Sequence, residues 1–100
     1  MNRFTRITID LDTVEYYVLA HCMVTLFNHG FDTEITIKKS PSKRGYHVIA
    51  WSQTGVATKE ELIKIRREAG DDPMRCDLDS RSGRQINVLF DEKKKRIIYG

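Results

Sequence analysis

Asp10 and Asp12 close the stretch ITIDLD, and Asp77 and Asp79 repeat the same spacing in RCDLD. Between them runs SPSKRGYHV, where Ser42, Lys43, Arg44 and Gly45 precede His47. Residues two apart on a strand share a face, so each pair of carboxylates can present its oxygens on one side of a sheet. Clustered Asp oxygens are what Mg²⁺ or Mn²⁺ requires, and Mn²⁺ also tolerates an imidazole such as His47. Left bare, the cluster is unfavourable: two like charges ~4 Å apart cost about 4 kcal/mol at an effective dielectric of about 20. A divalent ion beside basic turns suits phosphoryl chemistry, because the ion bridges phosphate oxygens and stabilises charge developing on them.

The basic residues are grouped in the same way. Lys38, Lys39, Lys43 and Arg44 flank the first turn, Arg81 and Arg84 the second, and KKKR occupies positions 93–96. Seventeen Lys and Arg against fourteen Asp and Glu give a net charge of +3, a balance that favours a polyanion such as a nucleoside triphosphate, DNA or RNA. Lys38, Arg75, Arg81 and Arg84 are the candidate nucleic-acid contacts. Arg75 and Lys38 can also neutralise part of the acidic face.

The elements that would position these groups follow from periodicity and caps. Phe4 to Asp12 alternates Ile7, Ile9 and Leu11 with Thr8, Asp10 and Asp12, the period of a half-buried strand. Thr13 can cap a helix from about Val14 to His29, which Gly30 ends. Glu34 to Lys39 and Tyr46 to Ser52 form a hairpin across the Ser-Pro-Ser-Lys-Arg-Gly turn. Thr58 with Glu61 is a capping box opening a second helix that stops at Gly70. DDP then reads as a turn, Met74 to Asp79 as an alternating strand, Gln85 to Phe90 as its return, and Lys93 to Tyr99 as an edge strand.

This order is an α+β, ferredoxin-like or RRM-like βαββαβ sandwich with one or two extra C-terminal strands and two helices on one face of an antiparallel sheet. Its first strand should be central, between the third and the fourth. Burying Ile7, Ile9 and Leu11, Tyr46, Val48 and Ala50, and Cys76 and Leu78 then places Asp10, Asp12, His47, Arg75, Asp77 and Asp79 together on the open face.

A chain of 100 residues, 40% hydrophobic and 31% charged, is expected to be one soluble globular domain over residues 1–100. The longest apolar run, Val18 to Phe27, is interrupted by His21, Cys22 and Thr25 and falls short of a bilayer span, so no membrane partner is expected. MNRFTRITIDLD passes into a strand without a secretory h-region, which implies a cytoplasmic protein. Cys22 and Cys76 belong to no metal-binding spacing and read as reduced core thiols.

In order and strand placement, ITIDLD, SPSKRGYHV and RCDLD resemble the signatures of the archaeo-eukaryotic primase superfamily. These are an hhDhD strand, a Ser- and Gly-containing segment ending in His, and a later strand ending in Asp. The resemblance spans residues 7–79 and implies a minimal RRM-like catalytic half. By it, Asp10, Asp12 and Asp79, or less directly Asp77, would hold two Mg²⁺ or Mn²⁺ ions as catalytic ligands. Ser42, Lys43, Arg44 and His47 would contact the incoming nucleotide's phosphates, with His47 also catalytic. The implied activity is nucleotidyl transfer in DNA replication or repair: a 3′-hydroxyl attacks the α-phosphate of a nucleoside triphosphate and pyrophosphate leaves. Family members carry a further α/β module beside this half, so a second copy of the chain or a larger primase would complete the cleft.

Other readings stay open. Asp10 and Asp12 can cap the following helix, and His47 can be a structural strand residue. RGYHVIAW also approximates the RNA-recognition octapeptide, whose third and fifth positions stack on bases. That reading of a noncatalytic nucleic-acid binder exposes Tyr46 and buries His47, while a primase-like site requires the opposite strand phase. A small ferredoxin-like metal-dependent nuclease, of the kind found in CRISPR adaptation, accounts for Asp10 or Asp12 alone. A structural ferredoxin-like module leaves the acidic face unexplained.

Overall fold

A computed structural model of the chain describes residues 3–83 and 86–89. Its elements are β1 (Phe4–Leu11), α1 (Tyr16–Asn28), β2 (Glu34–Lys39), β3 (Tyr46–Val56), α2 (Lys59–Glu68) and α3 (Pro73–Arg81). The three strands form one antiparallel sheet in the order β1-β3-β2. Together they make a small α+β fold compatible with a ferredoxin-like arrangement.

The expected phase of β1 and β3 is the observed one. Ile7 pairs with Ala50 and Ile9 with Val48, and all four are completely buried beneath Cys22 and Leu26 of α1 and Leu62 and Ile65 of α2. Both helices therefore cover the same face. Alternation turns Arg6, Thr8 and Asp10 to the other face, where they pair with Trp51, Ile49 and His47. Thr58 accepts from the Glu61 amide at 3.1 Å, as the capping box predicts. Gly30 and Gly70, with φ of 85° and 96°, take the left-handed conformation that ends α1 and α2. Among the described residues, no helix is long and apolar enough to cross a membrane.

The second half departs from expectation. Residues 74–79 are not a strand but lie within α3, and β1 is not central but at the edge of the described sheet. The helix starts because Asp72 accepts from the Met74 amide at 3.0 Å and Pro73 takes the first helical position, where its missing N–H loses nothing. Residues 86–89 form no strand either, while the expected strand at 93–99 lies outside the described residues.

Among the described residues, the outer edge of β1 is sealed without a fourth strand. Asn87 accepts from the Thr8 amide through Oδ1 at 3.1 Å and donates from Nδ2 to the Arg6 carbonyl at 2.6 Å. Arg75 Nη1 donates to the Thr8 carbonyl at 3.0 Å. Asp71 Oδ1 accepts from the Asp10 amide at 2.7 Å, and the Asp72 amide donates to the Asp10 carbonyl at 3.1 Å. Side chains and the α2–α3 connection thus supply the partners that a neighbouring strand would otherwise provide.

Candidate active site

The cleft is built where the β2–β3 turn folds over the end of β1. Gly45 makes this approach: a Cβ there would lie 1.7 Å from the Leu11 carbonyl oxygen, so no other residue fits. The preceding turn closes through the Lys43 amide, which donates to the Ser40 carbonyl at 2.8 Å, with Lys43 itself at φ 62°. Ser40 and Ser42 hydroxyls lie 3.1 Å apart, and the Arg44 amide donates to Ser42 Oγ at 3.4 Å. The result is a cleft of about 310 Å³ lined by Asp10, Leu11, Asp12, Ser40, Pro41, Ser42 and His47.

Asp10 and His47 of the cleft form one row across the three strands with Lys38. His47 is 2% exposed, and its Nε2 stands 3.6 Å from Asp10 Oδ1. Tyr46 is half-buried against the helix-covered core, and His47 lies on the other sheet face beside Asp10, so the side-chain directions are those expected for β3, although His47 is buried rather than exposed. Burial pushes the Asp10 carboxyl above its usual 3.8; His47 and Arg75 oppose that shift, while Asp71 and Asp72 add to it. Lys38, Lys43 and Arg44 are exposed near the rim.

The second pair of acids lies elsewhere. Asp79 is on α3, with Oδ2 2.7 Å from Arg66 Nη1 and also accepting from the Asn87 amide at 3.0 Å. It meets Asp10 in an adjoining depression of about 190 Å³, together with Asp72 and Arg75. Asp77 is exposed and held by Arg67 at 2.7 Å, which keeps its carboxyl below the usual range. Arg81 is exposed and donates to the Asp77 carbonyl at 3.2 Å. Arg75 is committed to Asp71, to the Thr8 carbonyl and to the Thr8 hydroxyl. Arg84 lies outside the described residues.

Two residues behind the cleft were not anticipated. Asp71 is buried, and besides the Asp10 amide it accepts from Arg66 Nε at 2.8 Å, Arg75 Nη1 at 2.9 Å and Cys76 Sγ at 3.1 Å. Arg66 is wholly buried; desolvation alone would lower its pKa, but Asp71 and Asp79 outweigh it and hold the guanidinium charged. A signal for it exists in the sequence: Arg66 lies on the stripe of Leu62, Ile65 and Ala69, at spacings that face the core.

The four carboxylates do not form a single cage, and the described residues contain no preassembled group of three or more His, Cys, Asp or Glu able to hold a metal. Asp10 and Asp12 line one cleft with His47, and a hard ion that binds through one or two carboxylates completes its shell with water and substrate phosphates. Comparison of the chain with protein-family models, curated proteins and solved structures found no match.

Proposed function

We propose that this chain is a primase-like nucleotidyltransferase domain that uses Mg²⁺ or Mn²⁺ at the Asp10–Asp12–His47 cleft, acting on a nucleoside triphosphate and a DNA or RNA strand in replication or repair. One observation carries the reading: Asp10, Asp12, Ser42 and His47, from three separate segments, line one cleft with the strand phase that this chemistry needs.

In this reading Asp10 and Asp12 hold the ion, which when bound would polarise the phosphates. The Ser40–Gly45 turn receives the triphosphate, with Ser42 hydrogen-bonding it and Lys43 and Arg44 offsetting its charge. His47 is fixed by its cross-strand place beside Asp10 and donates to a phosphate oxygen. Asp71 and the Asp72 amide hold the Asp10 backbone through its amide and its carbonyl, so that its carboxylate is preorganised rather than recruited. The protein's contribution is position and electrostatics, aligning a 3′-hydroxyl with the α-phosphate as pyrophosphate leaves. A second copy or a larger primase would supply the other wall of the cleft.

The ion pairs of Asp77 and Asp79 favour a second reading, a noncatalytic nucleic-acid binder with this fold. Titrating Mn²⁺ into the protein, with and without a nucleoside triphosphate, separates the two by NMR. Line broadening centred on Asp10, Asp12 and His47, and abolished in Asp10→Ala/Asp12→Ala, is expected for the transferase, with primer synthesis assays to follow. Uniform or absent broadening sinks the catalytic reading.

A further inference from the structure

The sheet face away from α1 and α2 carries a large aromatic ring that the cleft does not use. Trp51 is 38% exposed and stands in β3 between Arg6 of β1 and Glu34 of β2. The Arg6 guanidinium lies over the ring, 6.0 Å from its centroid, and its Nη1 also donates to the Asn87 carbonyl at 3.3 Å. The cation is thus held on the β1 side of an indole that remains open to solvent.

The position of this pair relative to the cleft is set by the strand. Residues 47, 49 and 51 share a face, which puts Trp51 about 13 Å from His47 along β3. Between them the row is uncharged: Ile49 pairs with Thr8 and Thr36. An RNA-recognition octapeptide would turn this eighth position toward the core, together with His47. The inverted phase turns it outward instead, onto the face of the acidic cleft.

We infer that Trp51 and Arg6 form a stacking site for one base of a single-stranded nucleic acid whose chain runs along the β3 row toward the Asp10–His47 cleft. An indole accepts any base face, and a guanidinium adds both cation–π attraction and a partner for phosphate. Thr8 is wholly buried, its hydroxyl held by Asn87 and Arg75, so the sugar-phosphate chain passes on the β2 side of the row, over the exposed Thr36 and Lys38. In naming a single strand as what the cleft works on, the inference rests on the proposed function. The stacking itself needs neither metal nor triphosphate.

Trp51 is the chain's one tryptophan, so its emission reports this site alone. The full chain is titrated in EDTA with oligothymidylate and oligouridylate of about ten residues, and a labelled copy of each is followed by anisotropy. Saturable quenching is expected, with affinity about tenfold weaker in Trp51→Ala and within about threefold of wild type in Trp51→Phe, at unchanged circular dichroism. The better of the two oligonucleotides tells DNA from RNA. Anisotropy binding with unchanged emission and unchanged Trp51→Ala affinity overturns the stacking site, as does no binding of either strand. Mn²⁺ broadening at Asp10 and Asp12 would still uphold the cleft in those cases. Quenching without that broadening would keep the stacking site and remove the transferase.

Discussion

Asp10 is held in a state that the fold does not favour. Burial raises its folded-state pKa above the 3.8 of a free aspartate, so the folded protein binds this proton more readily than the unfolded chain does. The unfavourable contribution is therefore absent below pH 3.8 and complete once pH has risen past the folded-state pKa. Asp10→Asn keeps the side-chain shape and removes the charge, so at about pH 7 it should melt a few degrees above wild type, with the gain fading as pH falls toward 4. Parallel thermal melts across that range check the sign; a variant less stable at neutral pH would mean that His47 and Arg75 overcompensate the burial. Gly45 is the opposite kind of residue, fixed by space alone. Its missing Cβ is what lets the turn touch Leu11, so Gly45→Ala should lose at least about 2 kcal/mol in urea denaturation. Gly83→Ala, where a Cβ meets nothing within 4 Å, should stay within about 0.5 kcal/mol of wild type.

An edge strand whose hydrogen bonds are made by side chains should betray itself in exchange. The amides of Thr8 and Asp10 point away from β3, yet they donate to Asn87 Oδ1 and Asp71 Oδ1. Both are expected to be protected from solvent exchange, and Asn87→Ala should release Thr8 while leaving Asp10 slow. Equal release of both would mean that the edge opens as one unit. This edge explains where sequence reasoning succeeded and where it stopped. The elements through α2 were legible because each was signalled by an apolar alternation, a glycine stop or the Thr58 cap, and the helix-covered face they share is apolar. Helix α3 was not, because the side it turns inward is polar: Asp72, Arg75, Cys76 and Asp79 follow a helical spacing but face Asp71, Arg66 and the β1 edge. In the same stretch Cys76 and Leu78 imitate a strand, although Leu78 is 58% exposed. The Asp72–Pro73 pair was the available warning, since it reads as a cap followed by a first helical residue. The cleft was legible in part for the same reason. Asp10, Asp12, Ser42 and His47 needed only the phases of two strands and one turn, whereas placing Asp77 and Asp79 required a strand that is a helix.

At the scale of the whole molecule, a domain of this size has little stability in reserve, so ligand binding should be visible in its melting. Anything that binds only the folded state stabilises it by about 2.7 kcal/mol at 100 times its dissociation constant. For a domain of this size that corresponds to a shift on the order of 10 °C. Mn²⁺ with a nucleoside triphosphate should therefore raise the wild-type melting temperature, EDTA should reverse the rise, and neither ligand alone should match the pair if substrate phosphates complete the ion's shell. Asp10→Asn makes the test discriminating because stability and function predict opposite signs for it. Its unliganded melting temperature at neutral pH should lie above wild type, since the buried charge is gone, yet the ligand-induced rise should shrink or vanish, since the ion loses a carboxylate. A purely structural Asp10 would leave the ligand response of the variant equal to that of wild type, and Asp77→Asn, whose carboxylate is paired with Arg67 on the surface, provides the comparison that should respond normally.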